Sequence, residues 1–85
     1  MPGVLYIIST GPEDFDPTLF GAADRNGTAR GILIQEGVRL SNVPLSRVLA
    51  LADDVHARNL TTPHPLVSYR EMLRLIFEAD RVIVL

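Results

Sequence analysis

The chain has 85 residues, 47% of them hydrophobic, and ten acids against eight basic side chains give a formal charge of −2. It contains no cysteine and no lysine, which excludes disulfides, thiolate nucleophiles, Schiff bases and the lysine of a phosphate-binding loop. The apolar content is too high for a disordered segment, and the charge is wrong for bulk attraction of nucleic acid.

One domain spanning 1–85 is expected, with little stability to spare and apolar surface left over for a subunit contact. No apolar run approaches the ~20 residues needed to span a bilayer. Pro2 and Gly3 stand where a signal peptide would carry basic residues, so a cytoplasmic location is expected.

Val4 to Ile8 is apolar on both faces, the pattern of a central parallel strand covered on each side. Ser9-Thr10-Gly11-Pro12 ends it. Asp16-Pro17 reads as the N-cap and first residue of a helix running to about Ala23, weakened by Gly21 and stopped by Arg25-Asn26-Gly27. Gly31 to Gln35 is the second strand. Glu36 to Leu40 forms a helical turn in which Gly37 permits close backbone approach. A loop over Ser41 to Pro44 leads to a third strand, Arg47 to Leu51. Asp53 or Asp54 then caps a two-turn helix ending near Asn59.

Thr61 to Pro65 is an irregular connection. Ser68 and Glu71 make a capping box. The helix it opens aligns Tyr69, Met72, Leu73, Ile76 and Phe77 on one face. Arg70, Arg74 and Glu78 lie on the other, with Arg74 and Glu78 spaced to pair. Asp80 turns the chain into a last strand, Arg81 to Leu85. Alternation of this kind predicts an α/β fold: a small open parallel sheet of four strands, order 2-1-3-4, flanked by helices.

At Leu33-Ile34-Gln35-Glu36-Gly37-Val38 the chain resembles the DsrH/TusB branch of the DsrE-like sulfur-relay proteins. Asp53-Asp54-Val55-His56-Ala57-Arg58-Asn59-Leu60 is similar to that family's acidic helix. Leu66-Val67-Ser68-Tyr69-Arg70-Glu71-Met72 resembles the stretch where a tyrosine opens its last helix, and Val4-Leu5-Tyr6 and Val82-Ile83-Val84-Leu85 fit its first and last strands. The resemblance implies a DsrE-like fold and a cytoplasmic component of a relay that passes persulfide sulfur towards tRNA thiolation or through sulfur oxidation. It also implies assembly as a homodimer, or with DsrE/TusD-like and DsrF/TusC-like subunits. Some members place a cysteine on the first helix, near the position of Phe20 or Gly21. This chain has none and cannot hold a persulfide, so the implied role is that of a non-carrying, non-catalytic subunit, with no cofactor.

Ligands of open parallel sheets bind beyond the strands' carboxyl ends. That rim presents Ser9, Thr10 and Gly11 after the first strand, Gln35, Glu36 and Gly37 after the second, and Asp53 and Asp54 after the third. It forms either a partner-docking edge or a small polar crevice, the latter implying a ligand-binding protein or an enzyme that uses the carboxylates. Turn and capping chemistry accounts for Ser9, Thr10, Asp53 and Asp54 without a ligand, whereas a glutamine at a strand end has no capping role. Asp53, Asp54 and His56, with Glu36, form a weak metal pattern, and solvated capping acids explain them better. A phospho-acceptor pocket lacks its lysine. A Ser9–histidine–aspartate triad lacks a Gly-x-Ser-x-Gly elbow. His64 between prolines reads as a loop residue, and Tyr6 and Tyr69 as core or interface.

Overall fold

Five short runs rich in β-branched residues and leucine hydrogen-bond into one parallel sheet in the computed structural model, which describes residues 3–20 and 29–85. The strands are β1 (Val4–Ile8), β2 (Arg30–Leu33), β3 (Arg47–Leu51), β4 (Leu66–Val67) and β5 (Arg81–Val84), in the spatial order β4-β3-β2-β1-β5. Among the described residues, the α-helices α1 (Ala52–Ala57) and α2 (Tyr69–Glu78) and the 3₁₀ turns Pro17–Leu19 and Gln35–Arg39 cover the faces.

The α/β class and the small open parallel sheet flanked by helices are as expected; the strand count and order differ. Leu66-Val67 adds a fifth strand, paired with Ala50 and Leu51 of β3. Two residues following Pro65 carry too little pattern to announce a strand. The order 2-1-3-4 put the first strand between the second and third. Instead β2 lies between β1 and β3, in keeping with the tendency of consecutive strands to pair with each other. Among the described residues, α2 is the element that carries the chain across the sheet, from the β4 edge to the β5 edge.

Alternation along the strands builds two cores. Tyr6, Ile8, Leu33, Val48 and Ala50 point to one face, where Phe20, Val38, Leu40 and Val55 close over them. Leu5, Ile7, Ile32 and Leu51 point to the other, against Val67 and Met72, with Leu75, Ile76 and Ala79 packed alongside. Ile8, Ile32, Leu33 and Val38 are fully buried, each worth roughly 1.5–3 kcal/mol of apolar burial. Tyr6 meets Phe20 edge-on at 4.9 Å, a favoured aromatic geometry. This confirms Tyr6 as core.

Asp16 caps the first 3₁₀ turn through the Thr18 N–H, with Pro17 inside it. The rest of the helix expected there, from Gly21 to Ala23, and its stop at Arg25-Asn26-Gly27 lie outside the described residues. Ser68 caps α2 as expected, its Oγ accepting from the Glu71 N–H at 3.1 Å. The Glu71 carboxylate turns to Arg74, which also pairs with Glu78 at 2.7 Å. The buried face of α2 is Met72, Leu75, Ile76 and Ala79, rotated from the expected one; Tyr69, Leu73 and Phe77 are exposed. Both sets satisfy the i, i+3, i+4 spacing, and the sheet selects between them.

Neither Asp53 nor Asp54 caps α1. Leu51 holds the N-cap position with no side-chain bond, and both aspartates sit in the first turn, where negative charge is still favoured. The helix ends as expected near Asn59, which takes a left-handed φ of 53° and lets the Leu60 N–H reach the Val55 carbonyl. Among the described residues no helix is long and apolar enough to cross a membrane.

Candidate functional site at the strand carboxyl ends

The order β3-β2-β1 places the ends of three adjacent strands side by side, and the turn after β2 sits in the middle. Gln35 opens that turn with φ at 50°, a left-handed conformation that costs a non-glycine residue of order 1 kcal/mol. Two contacts hold it there. The Asp54 carboxylate accepts the Gln35 N–H at 2.6 Å, and the preceding Ile34 N–H donates to the Ile8 carbonyl at 2.9 Å. Gly37 is then pressed against the end of β1. A Cβ at Gly37 would lie 2.1 Å from the Ile8 carbonyl oxygen, so no side chain fits.

Around this turn runs a chain of ion pairs. Glu13 meets Arg39 at 2.6 Å, Arg39 meets Glu36 at 3.0 Å, Glu36 meets Arg58 at 2.9 Å, and Arg58 reaches Asp54 at 3.7 Å. Arg58 also donates to the Asp54 backbone carbonyl. The network ties the β1 loop, the turn after β2 and the helix after β3 into one surface. The hydrogen bonds from Arg58, then Arg39, hold the Glu36 carboxyl below its ordinary range, and Arg39 does the same for Glu13. Acids so paired stay ionised at neutral pH. A general acid needs the opposite shift.

The predicted rim residues separate into two groups. Gln35, Glu36, Gly37 and Asp54 come together. Asp53 is exposed and stands apart from the ion pairs. Ser9 faces the other way: its N–H and its Oγ both donate to the Leu85 carbonyl, at 2.9 and 3.0 Å. Thr10 is half-buried beside it. Among the described residues no group of three histidine or acidic side chains is placed to hold a metal. His64 lies in its loop with Nε2 3.1 Å from the Leu40 carbonyl.

Arg39, Arg58 and Glu13 are the members that sequence reasoning missed. Their signal was present in part: Glu36–Arg39 and Asp54–Arg58 have the i, i+3 and i, i+4 spacings of helical ion pairs. The side-chain amide of Gln35 is exposed and engages no described residue. The depression beside the rim, lined by Pro12, Arg39, Leu40, Leu60 and Thr62, encloses about 240 Å³. That is below the ~300 Å³ at which ligand clefts begin. The arrangement is a charge-paired surface on which the Gln35 side chain is exposed.

No family profile, curated protein or solved structure matches this chain.

Proposed function

We propose that this chain is a non-carrying subunit of an intracellular sulfur relay, a cysteine-free DsrE-like protein of the DsrH/TusB kind. It works by docking: onto a like subunit, and onto a cysteine-bearing partner of the DsrE/TusD- or DsrF/TusC-like kind. The persulfide stays on the partner's cysteine throughout, and the rim of this chain shapes the surroundings of that sulfur.

The observation that carries the reading is the strained turn at Gln35. A non-glycine residue is held at positive φ by Asp54 and by the seat of Gly37 on β1, and it is exposed. Strain of this sort concentrates where a protein must present a group in a fixed direction. The turn also lies in one of the segments that carry the resemblance. The alternative, an enzyme using the rim carboxylates, meets acids already neutralised by Arg39 and Arg58.

The test is to mix the protein with a cysteine-bearing DsrE-like protein from the same genome and measure binding by calorimetry. A stable complex that weakens about tenfold or more on Gln35→Ala, with the melting temperature unchanged, supports the reading. Absence of any complex, together with turnover of a small substrate that depends on Glu36, overturns it.

A further inference from the structure

We propose that the α2–β5 side of the molecule is the interface of a symmetric homodimer, in which the two β5 strands pair antiparallel about Ile83. The proposal deepens the docking reading by naming a second copy of this chain as a partner, on a surface away from the rim.

The surface follows from register and helical phase. Leu5 pairs with Val82 and Ile7 with Val84, so both valines project to the sheet face that α2 covers. One flank of α2, Glu71, Arg74 and Glu78, overlooks a groove bounded by Arg30, Arg47 and Leu49 of β2 and β3. Tyr69, Leu73 and Phe77 recur every fourth residue on the opposite flank, towards β5. The five apolar side chains there are exposed by 56% (Tyr69), 37% (Leu73), 85% (Phe77), 39% (Val82) and 70% (Val84). With a full aromatic side chain contributing ~150–250 Å², they present on the order of 500 Å² of apolar surface, the upper range for the largest patch on a monomer.

The backbone points to the same partner. In a parallel ladder alternate residues aim their polar groups at one neighbour. Arg81 and Leu85 donate to the Gly3 and Ile7 carbonyls of the β1 segment. The intervening Val82 and Val84 therefore aim N–H and C=O outwards. Two β5 strands related by a two-fold axis at Ile83 set Val82 opposite the other copy's Val84, a hydrogen-bonded pair on each side of the axis. The valines then form one row between the two Phe77 stripes. The two sheet edges also differ in protection. The β4 edge is two residues long and follows Pro65, both devices that discourage pairing. β5 has four residues, three of them apolar, and no proline. Doubling the patch and adding the strand edge and its margins brings the contact to the ~1,200 Å² at which stable interfaces begin.

Sedimentation equilibrium of the full chain at micromolar concentration is expected to give a dimer. Phe77→Glu and Val84→Lys should each weaken it about tenfold or more with little change in melting temperature. Because the chain has no cysteine, Ile83→Cys provides a clean proximity probe. Facing residues of a non-hydrogen-bonded pair stand ~4.5 Å apart at Cα, within disulfide reach, so mild oxidation should yield a covalent dimer. A monomeric wild-type protein, or a dimer indifferent to Phe77→Glu, overturns the proposal. Phe77 is exposed enough that its variant folds even where one on β5 fails. A monomer that still binds the cysteine-bearing partner refutes the homodimer alone, whereas a homodimer that ignores that partner refutes the docking reading alone.

Discussion

Replacing Gly37 by alanine puts a methyl group where there is no room for one. The new Cβ would stand 2.1 Å from the Ile8 carbonyl oxygen and 2.9 Å from its carbon. Both are backbone atoms of β1, which is bonded to β2 on one side and β5 on the other and cannot yield. The φ of Gly37 lies outside the left-handed range, so the cost is one of space, not of conformation. Ordinary contact requires the turn to retreat by more than about 1 Å. That movement stretches the Ile34 N–H bond to Ile8 and the Gln35 N–H bond to Asp54. Overpacking contributes about 1–3 kcal/mol, and the weakened hydrogen bonds about 1 kcal/mol each. A total near 3–5 kcal/mol is a large share of the roughly 4–13 kcal/mol available to a domain of this size. Urea unfolding should register the loss directly, and the melting temperature should fall by at least ~12 °C. A loss under about 1 kcal/mol would refute the seating of the turn on β1.

The two adjacent aspartates should behave differently: Asp54→Ala removes the acceptor of the Gln35 N–H and should cost about 1.5–3 kcal/mol, while Asp53→Ala stays within about 0.5 kcal/mol. Equal costs in urea titration would refute the anchoring role of Asp54. On α2, Met72→Ala should cost about 2–5 kcal/mol and Phe77→Ser under about 1 kcal/mol; the reverse ranking would restore the face expected from spacing alone. The Glu13 and Glu36 carboxyls are held low by Arg39 and Arg58, so their contribution is complete above the unfolded value of about 4.3 and is lost as pH falls through the lower folded values. The melting temperature should therefore be insensitive to these groups from pH 7 down to about 5 and drop below about 4. Glu36→Gln should blunt that drop, and an unchanged acid limb would count against the network.

Periodicity made the main elements legible. The third strand and the capping serine of α2 fall where composition and spacing place them, because a run such as Val48-Leu49-Ala50-Leu51 and a Ser-x-x-Glu signal are local facts. The phase of α2 was not legible: Leu75 and Ala79 compete with Leu73 and Phe77 for the same spacing, and only the position of the sheet breaks the tie. Strand order was equally hidden, since nothing in β2 states which neighbours it will have. At the rim, Gln35, Glu36 and Gly37 were readable as a group because a glutamine at a strand end serves no cap. Asp54 was found but given the wrong task. Its real partner is an amide 19 residues away, a relation with no signature in local spacing. The arginines that complete the network were not singled out, although Arg39 and Arg58 stand at helical ion-pair spacing from Glu36 and Asp54.

Ser9 clasps the Leu85 carbonyl with both its amide and its hydroxyl, across a sequence separation of 76. This clasp bears on the order of events in folding. Among the described residues β5 has no other neighbour within the sheet, so it seats on a β1 strand already in place, and it must close a loop of most of the chain to do so. A pairing of such long range arrives late and slows the whole process. By the same logic it departs early: a brief opening that releases β5 and the C-terminal turn of α2 leaves β1, β2 and β3 joined. In a monomeric form such as Phe77→Glu, hydrogen exchange should therefore reach the amides of Ile83 and Leu85 well before those of Ile32 and Leu33. Anything that grips the outer edge of β5 would close that early exit and slow unfolding without touching the core.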